Sequence, residues 1–166
     1  MSDCVHPCPC GWFLDTQKAC TCAPAVVTKY QKRISRPLLD RIDIHIEVPR
    51  VDYGKLSGDR MGQTSESIRK RVQAARTIQQ QRFARSPSDI ICNTDMRVGE
   101  VRQFCKLQDE GQSLMRAAMS QLNLLARAYH RILKLARTIA DLAGSDEIQS
   151  PHLAEALQYR PKLMMG

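Results

Sequence analysis

The stretch "CPCGWFLDTQKACTC" sets Cys8 and Cys10 against Cys20 and Cys22 across a short loop. Two thiol pairs at such spacing can supply the four ligands of tetrahedral zinc. Four thiolates leave no open coordination position, so a zinc ion here would be structural rather than catalytic. The single residue within each pair is tighter than the usual two-residue knuckle. Free buried thiols, a redox pair and a loop that orders without metal therefore stay open beside zinc. Cys4 and His6 are reserve ligands. Cys92 and Cys105 lie in helical context and read as packing thiols.

A second chemistry is cationic. The segment Ser65–Arg85 carries Arg69, Lys70, Arg71, Arg76 and Arg82. A helix so decorated can run along a phosphate backbone, giving affinity without base specificity, or it can be a solvated face. No aromatic interleaves the cations, so a base-stacking platform is not expected. In "LLARAYHRILKLARTIADLAG", Arg127, Arg131 and Lys134 share one side at helical spacing. Arg127 falls in the first turn, where a cation opposes the helix dipole. A phosphate partner thus suits Arg127 better than Arg137, with a solvated arginine as the alternative. His130 reads as a packing or exposed histidine. No G-x-x-x-x-G-K-[ST] occurs in the 166 residues, so the chain alone is not expected to cradle a triphosphate. No Ser/His/Asp or Cys/His nucleophilic arrangement stands out.

Composition frames these sites. The length suits one or two small domains, and few aromatics suit a mostly helical protein. The net charge of +8 points to an anionic partner or to simple solubility. Four of the seven cysteines sit in one cluster, which favours metal over disulfides in a reducing compartment. No apolar run is long enough to cross a bilayer, and "MSDCVHPCPC" lacks a basic-then-apolar leader, so a cytoplasmic location is expected.

Elements must position these groups. Residues 1–22 read as an ordered loop. "APAVVTKYQKRI" starts a helix with Pro24 at its first position and Val26, Val27, Tyr30 and Ile34 near one face. "SRPLLDR" is a short helix capped by Ser35 and carrying Arg41. "IDIHIEV" alternates, with Ile42, Ile44, Ile46 and Val48 on one face and Asp43, His45 and Glu47 on the other, which predicts a strand. A long helix follows from Thr64 or Ser65 to about Phe83, with Ile68, Val72, Ala75, Ile78 (or Gln79) and Phe83 as its apolar stripe. Further helices are expected at roughly 97–106, 109–121, 125–143 and 151–160, the last with Ser150 as cap and Pro151 at its first position. Gly144 marks the end of the third of these. A lone strand cannot satisfy its own backbone groups, so the strand is expected to pair within a larger sheet and the chain to be a fragment.

Taken together, "HPCPCG", the C-x-C pair, "ISRPLLDRIDIHIEVPRV", "ARAYHRILKLARTIADLAG" and "HLAEALQYR" resemble the C-terminal part of ComM/YifB-type magnesium-chelatase-like AAA+ ATPases, relatives of the ChlI/BchI chelatase subunit and of MCM helicases. The motifs occur in family order and cover nearly the whole chain. The resemblance implies a mostly α fold with a small β contribution. Residues 1–50 would be the end of an AAA+ core, comprising the Cys-rich loop, the finger helix and the last strand. Residues 51–92 would be a linker with the long basic helix, and residues 93–166 a helical-bundle lid. The phosphate loop would lie outside this chain. Arg41 in "LLDRID" resembles the arginine finger that serves a neighbouring subunit's nucleotide, and Arg127 the sensor-2 arginine of the lid. His6 stands at the sensor-1 position, where the family usually has Asn. Leu125 stands where it often has Ser, which removes a helix cap. The implied cofactor of the complete protein is ATP with magnesium. The implied partners are other AAA+ subunits in a ring, with DNA favoured over porphyrin by the basic helix and ComM-like branch migration in transformation as the setting. A zinc-containing nucleic-acid-binding or partner-binding module without ATPase activity is the alternative.

Overall fold

Helices account for nearly all regular structure in the computed structural model, which describes residues 6–39, 41–48, 51, 62–84, 89–122 and 124–160. No described helix is long and apolar enough to cross a membrane. The chain divides into two units: Met1–Ile42 with Glu47–Gly58, and Asp43–Ile46 with Asp59–Gly166.

In the first unit, helix α1 spans Pro24–Gln31. Ala23 is extended and Pro24 opens the helix, where its missing N–H costs no hydrogen bond. Of the expected apolar face only Val27 is buried, and Val26 is exposed. Helix α2, Arg36–Leu39, is a single turn. The Ser35 carbonyl accepts from the Leu38 and Leu39 N–H groups at 3.0 and 3.2 Å.

The second unit is a helical bundle. Its elements are α3 Ser65–Phe83, a 3-10 turn Asn93–Asp95, α4 Val98–Phe104, α5 Asp109–Gln121, α6 Ala126–Leu142 and α7 Ser150–Gln158. Thr64 caps α3, its hydroxyl accepting from Ser67 N–H at 3.2 Å. Gly144 takes φ +68° and closes α6 with paired bonds, Gly144 N–H to Asp141 O and Ser145 N–H to Ala140 O. That is the left-handed stop a glycine supplies. The last helix starts one residue earlier than expected, with Gln149 as its cap. The Gln149 N–H donates to His152 Nδ1 at 3.1 Å, the return bond of a capping box, so the imidazole three residues on fastens the helix start in place of the cap expected from Ser150.

The core follows the period of α6. Ile132, Leu133, Ala136 and Ala140 pack with Leu153 and Ala156 of α7, Met115 of α5, Val101 of α4 and Phe83 of α3. Phe83 and Phe104 meet edge to face, with centroids 5.6 Å apart, the arrangement the ring quadrupoles prefer. Burying each of the larger aliphatic side chains is worth about 1.5–3 kcal/mol.

Two departures from the expected elements bear most on the fold. The first concerns α3. Its buried positions are Ala75, Gln79 and Phe83, whereas Ile68 and Val72 are exposed and every residue from 65 to 74 faces solvent. Only the second half of the helix joins the core. Gln79 is admitted because its side-chain oxygen accepts the Asn93 N–H at 3.3 Å.

The second concerns residues 42–48, where no strand forms. Among the described residues the only β pairing is an isolated parallel bridge between Leu107 and Ile148, so the segment finds no ladder partner. One backbone bond holds it to the bundle, His45 N–H to Tyr159 O at 2.9 Å. The alternation survives with its polar side inward. Asp43 meets Arg131, Oδ1 to Nε at 2.9 Å, while Ile44 and Ile46 are exposed. The Asp43–Arg131 contact is an ion pair rather than an aligned hydrogen bond, because Asp43 Oδ1 has no hydrogen-bond partner. Both His45 ring nitrogens are buried without partners. Burial lowers the His45 pKa below 6.5; the Tyr159 contact and Asp43 pull it up, and Arg160 pushes it further down.

A buried polar network lies inside the second unit. Asp141, on α6, is 2 % exposed. It accepts from Arg82 NH1 at 2.8 Å and from Arg82 NH2, from Asn93 Nδ2 at 2.8 Å, and from Arg137 Nε at 3.0 Å. Arg137 also donates to the Asp146 and Ser145 carbonyls. Burial alone would favour the neutral acid, but the hydrogen bonds from Arg82 and Asn93 overcome it and hold the Asp141 pKa below 3.8. Arg82 is thus an internal anchor, not part of the exposed cationic face expected from the sequence.

Removing one member of a buried charge network leaves the others unpaired. Asp141→Ala is expected to lower unfolding free energy by about 3–5 kcal/mol, read by urea denaturation; a loss comparable to that of an exposed α3 substitution would contradict the network's role. The His45 ring gives a pH dependence. Its folded pKa lies below the unfolded value, so the unfolded state binds more protons and stability falls as pH drops below 6.5. Amide protection at residue 45 is expected to weaken between pH 7.5 and about 5.5, and to weaken less in His45→Gln.

Candidate functional site

The cysteine loop closes on itself. Gly11 takes φ +80° and donates its N–H to Cys8 O at 3.0 Å. This turn, strained for a residue with a Cβ, folds Cys8 and Cys10 toward one point. Asp15 shapes the return: Oδ1 accepts from the Gln17 and Lys18 N–H groups, each at 2.8 Å, and Lys18 Nζ lies 4.3 Å from the Trp12 ring centre. Gln31 of α1 donates to Pro7 O at 3.1 Å, tying the loop to the helix that follows.

These turns bring the Sγ atoms of Cys8, Cys10, Cys20 and Cys22 within 4.8 Å of one another. Cys8 lies 3.3 Å from Cys10 and 3.7 Å from Cys20, and Cys10 lies 3.5 Å from Cys20. A zinc–thiolate tetrahedron has edges of about 3.8 Å, from a bond of about 2.3 Å. The donor set therefore fits a tetrahedral thiophilic ion. Electrostatics point the same way. The Cys10 pKa is lowered to about 5, chiefly by the Trp12 backbone N–H. Cys20 is pushed up to about 12: the Cys22 backbone N–H favours its thiolate, but burial and the Cys10 and Cys8 side chains outweigh it. Cys22 is also raised; the Cys10 backbone N–H works against the rise, but the Cys10 side chain and burial prevail. The loop accommodates one thiolate readily and resists the next, the imbalance that a bound cation corrects. His6 is exposed, with its ring beside Gly11, and is not one of the four clustered ligands. Cys4 lies outside the described residues.

The cations fall into separate groups. Arg41 is exposed just beyond α2, its N–H donating to Leu38 O at 3.0 Å. Arg69, Lys70, Arg71 and Arg76 are exposed on α3. Arg69 and Arg76 share a face seven residues apart, while Lys70 and Arg71 project on other sides. Lys70 pairs with Glu66 at 2.8 Å, but both are so exposed that the pair contributes little.

Arg127 is exposed in the first turn of α6. Leu125 occupies the cap position and offers no side-chain bond, so the N–H groups of this turn lack the usual capping oxygen. Around that turn, Arg160 NH2 donates to Ala128 O at 3.4 Å, and Tyr129 and His130 stack edge to face at 5.3 Å. No local signal in the sequence marks residues 43–46 as packing beside this helix; the spacing of 88 residues between Asp43 and Arg131 hides the pair.

Comparison with known proteins places this geometry. The family described as magnesium chelatase, subunit ChlI C-terminal, matches residues 62–160, and the family described as magnesium chelatase, subunit ChlI, matches residues 3–56. The chain is 41% identical over 158 residues to competence protein ComM of Haemophilus influenzae, covering 94% of this chain and 29% of that protein. It is 38% identical over 157 residues to YifB of Escherichia coli and 34% to YifB of Salmonella typhimurium, with the same shares covered. The chain thus spans less than a third of the length of these relatives. The C-terminal match takes in the whole helical bundle from α3 to α7, and the other the cysteine loop and Arg41: the chain belongs to the magnesium chelatase family, as a ComM/YifB-type member.

Proposed function

We propose that the chain supplies the arginine finger and the sensor-2 lid of a ring-forming AAA+ ATPase that acts on DNA, with zinc as a structural ion in the cysteine loop. The observation that carries this reading is the state of two arginines. Arg41 and Arg127 lie in the segments matched by the two halves of the family, and both are exposed at helix ends. A guanidinium presents a fixed fork of donors suited to phosphate oxygens. Placed against the terminal phosphate in a neighbouring subunit, it stabilises charge that develops during phosphoryl transfer. Arg127, at an uncapped helix start, would sense the same nucleotide from the lid. His6 at the sensor-1 position would orient water through its ring. In this reading residues 1–50 complete the ATPase core and residues 93–166 form the lid, in the cytoplasm.

ATP and magnesium would be held by a phosphate loop that these 166 residues do not contain, so the chain by itself is expected to be silent. A second reading, a zinc-containing nucleic-acid-binding or partner-binding module without ATPase activity, draws on the four clustered thiols and the exposed cations of α3. DNA as the motor's track is supported by the exposed cations of α3.

Three measurements test these parts. Added to a phosphate-loop-bearing relative, the wild-type chain is expected to stimulate ATP hydrolysis and Arg41→Ala to lose that stimulation; fingers of this kind contribute about 10³–10⁵ in rate. Equal stimulation by both would sink the finger. Duplex DNA binding is expected to weaken steeply with salt, and replacing Arg69, Arg71 and Arg76 by alanine should reduce the log–log slope by roughly one unit for each phosphate no longer neutralised. Metal analysis of chelator-free protein is expected to find about one zinc per chain, and none after Cys10→Ser with Cys20→Ser; less than about a tenth of an equivalent in wild type would remove zinc.

A further inference from the structure

A metal ion would account for the four thiols of the cysteine loop but not for what the loop displays. Cys10 and Cys20 Sγ lie 3.5 Å apart, so residues 11–19 leave and return at one point. Within that excursion the Asp15 N–H donates to Trp12 O at 3.1 Å, closing a four-residue turn. Leu14 sits inside the turn at φ +67°, the one non-glycine residue with positive φ among the described residues. Glycine or asparagine suits such a place, and a leucine there is strained. Packing does not repay the strain, because Leu14 is 72% exposed. Trp12 and Phe13 beside it are half-buried. A strained backbone that holds an apolar side chain out to solvent points to a contact outside the chain.

Charge decides what kind of contact. Residues 6–42 carry six lysines and arginines against two aspartates, and Lys18, Lys29, Lys32 and Arg33 are exposed. Lys18 Nζ lies 4.3 Å from the Trp12 ring centre, so a cation stands at the apolar tip itself. A second copy of this chain would set like charges against each other. A nucleic acid offers both complements at once: phosphates for the cations and, where the strand is unpaired, flat base faces for the apolar side chains.

We propose that Trp12, Phe13 and Leu14 form a contact for the unpaired bases of single-stranded DNA, with Lys18 neutralising an adjacent phosphate. This rests on the DNA reading above and adds to it a base-facing surface besides the cations of α3. Bases stacked inside a duplex are closed to so short a tip, so the contact favours single strands. The strained turn keeps Leu14 extended toward the strand, and the paired thiols hold the turn by both of its ends.

Trp12 is the only tryptophan in the chain, so its emission reports on the tip directly. The full chain is titrated with a mixed-sequence DNA single strand of about 20 nucleotides, and with the same sequence as a duplex. The single strand is expected to quench Trp12 emission and the duplex to leave it nearly unchanged. Leu14→Gly removes the side chain and relieves the turn. It is expected to hold or raise the thermal midpoint while weakening single-strand binding about tenfold, and Leu14→Met is expected to bind like wild type. Leu14→Gly should keep the wild-type salt dependence, because it removes no cation, whereas Lys18→Ala should reduce the log–log slope by about 0.7. Trp12 emission unchanged at saturating single strand would overturn the contact, as would Leu14→Gly binding as tightly as wild type or equal quenching by duplex. If the wild-type chain binds neither form of DNA, the DNA reading falls and this contact with it. If binding depends on Arg69, Arg71 and Arg76 while Trp12 stays silent, the base contact alone falls.

Discussion

The bundle is organised around one buried carboxylate. Asp141 draws Arg82 from the end of α3, Asn93 from the 3-10 turn and Arg137 from its own helix onto a single point. Each partner alone would be costly to bury. Together they satisfy one another, and the surplus positive charge of Arg137 rests on the carbonyls of Ser145 and Asp146 just past the end of α6. Apolar packing around Ile132, Leu133, Ala136 and Ala140 is non-directional and would tolerate helices rotated by some degrees. The carboxylate does not tolerate that, because its two oxygens accept from three side chains at fixed angles. It selects one arrangement of α3 against α6 from those the hydrophobic surfaces allow.

The cysteine loop solves a related problem with the opposite sign. Here the groups brought together are all potential anions. Backbone donors stabilise the Cys10 thiolate, and the neighbouring thiols then resist ionising. The bundle balances its charge internally, whereas the loop leaves a balance that a bound cation can complete.

Legibility in the sequence depends on range. Periodicity locates the helices to within a few residues, because burial of one stripe repeats every turn. Gly144 and the Cys8–Cys22 spacing are also local signals, readable because the turn and the cluster are built from near neighbours. The Asp141 network is hidden: its partners lie 59 and 48 residues away, and nothing in "TIADLAG" distinguishes an aspartate that faces inward. For the same reason Arg82 reads in sequence as one more cation on a basic helix. The apolar alternation of Ile42–Val48 is real, but a strand is a property of a pair of segments, and the polar side of this one finds Arg131 and Tyr159 instead. Gln149 carries no cap signal of its own, because His152, three residues on, completes the bond.

Helix α3 is half packed and half solvated, and this changes its thermodynamics. An isolated helix of ten residues is marginal in water because forming its first turn is unfavourable. Here that turn already exists: Ala75, Gln79 and Phe83 are held by the core, so the stretch from Ser65 to Ala74 grows from a finished template. Each further residue then adds at nearly zero free energy, with a propagation factor of about 1–1.6. The cationic half can therefore unwind from its start turn by turn without disturbing the bundle, and the reach of Arg69, Lys70 and Arg71 is set by whatever lies alongside rather than by the core.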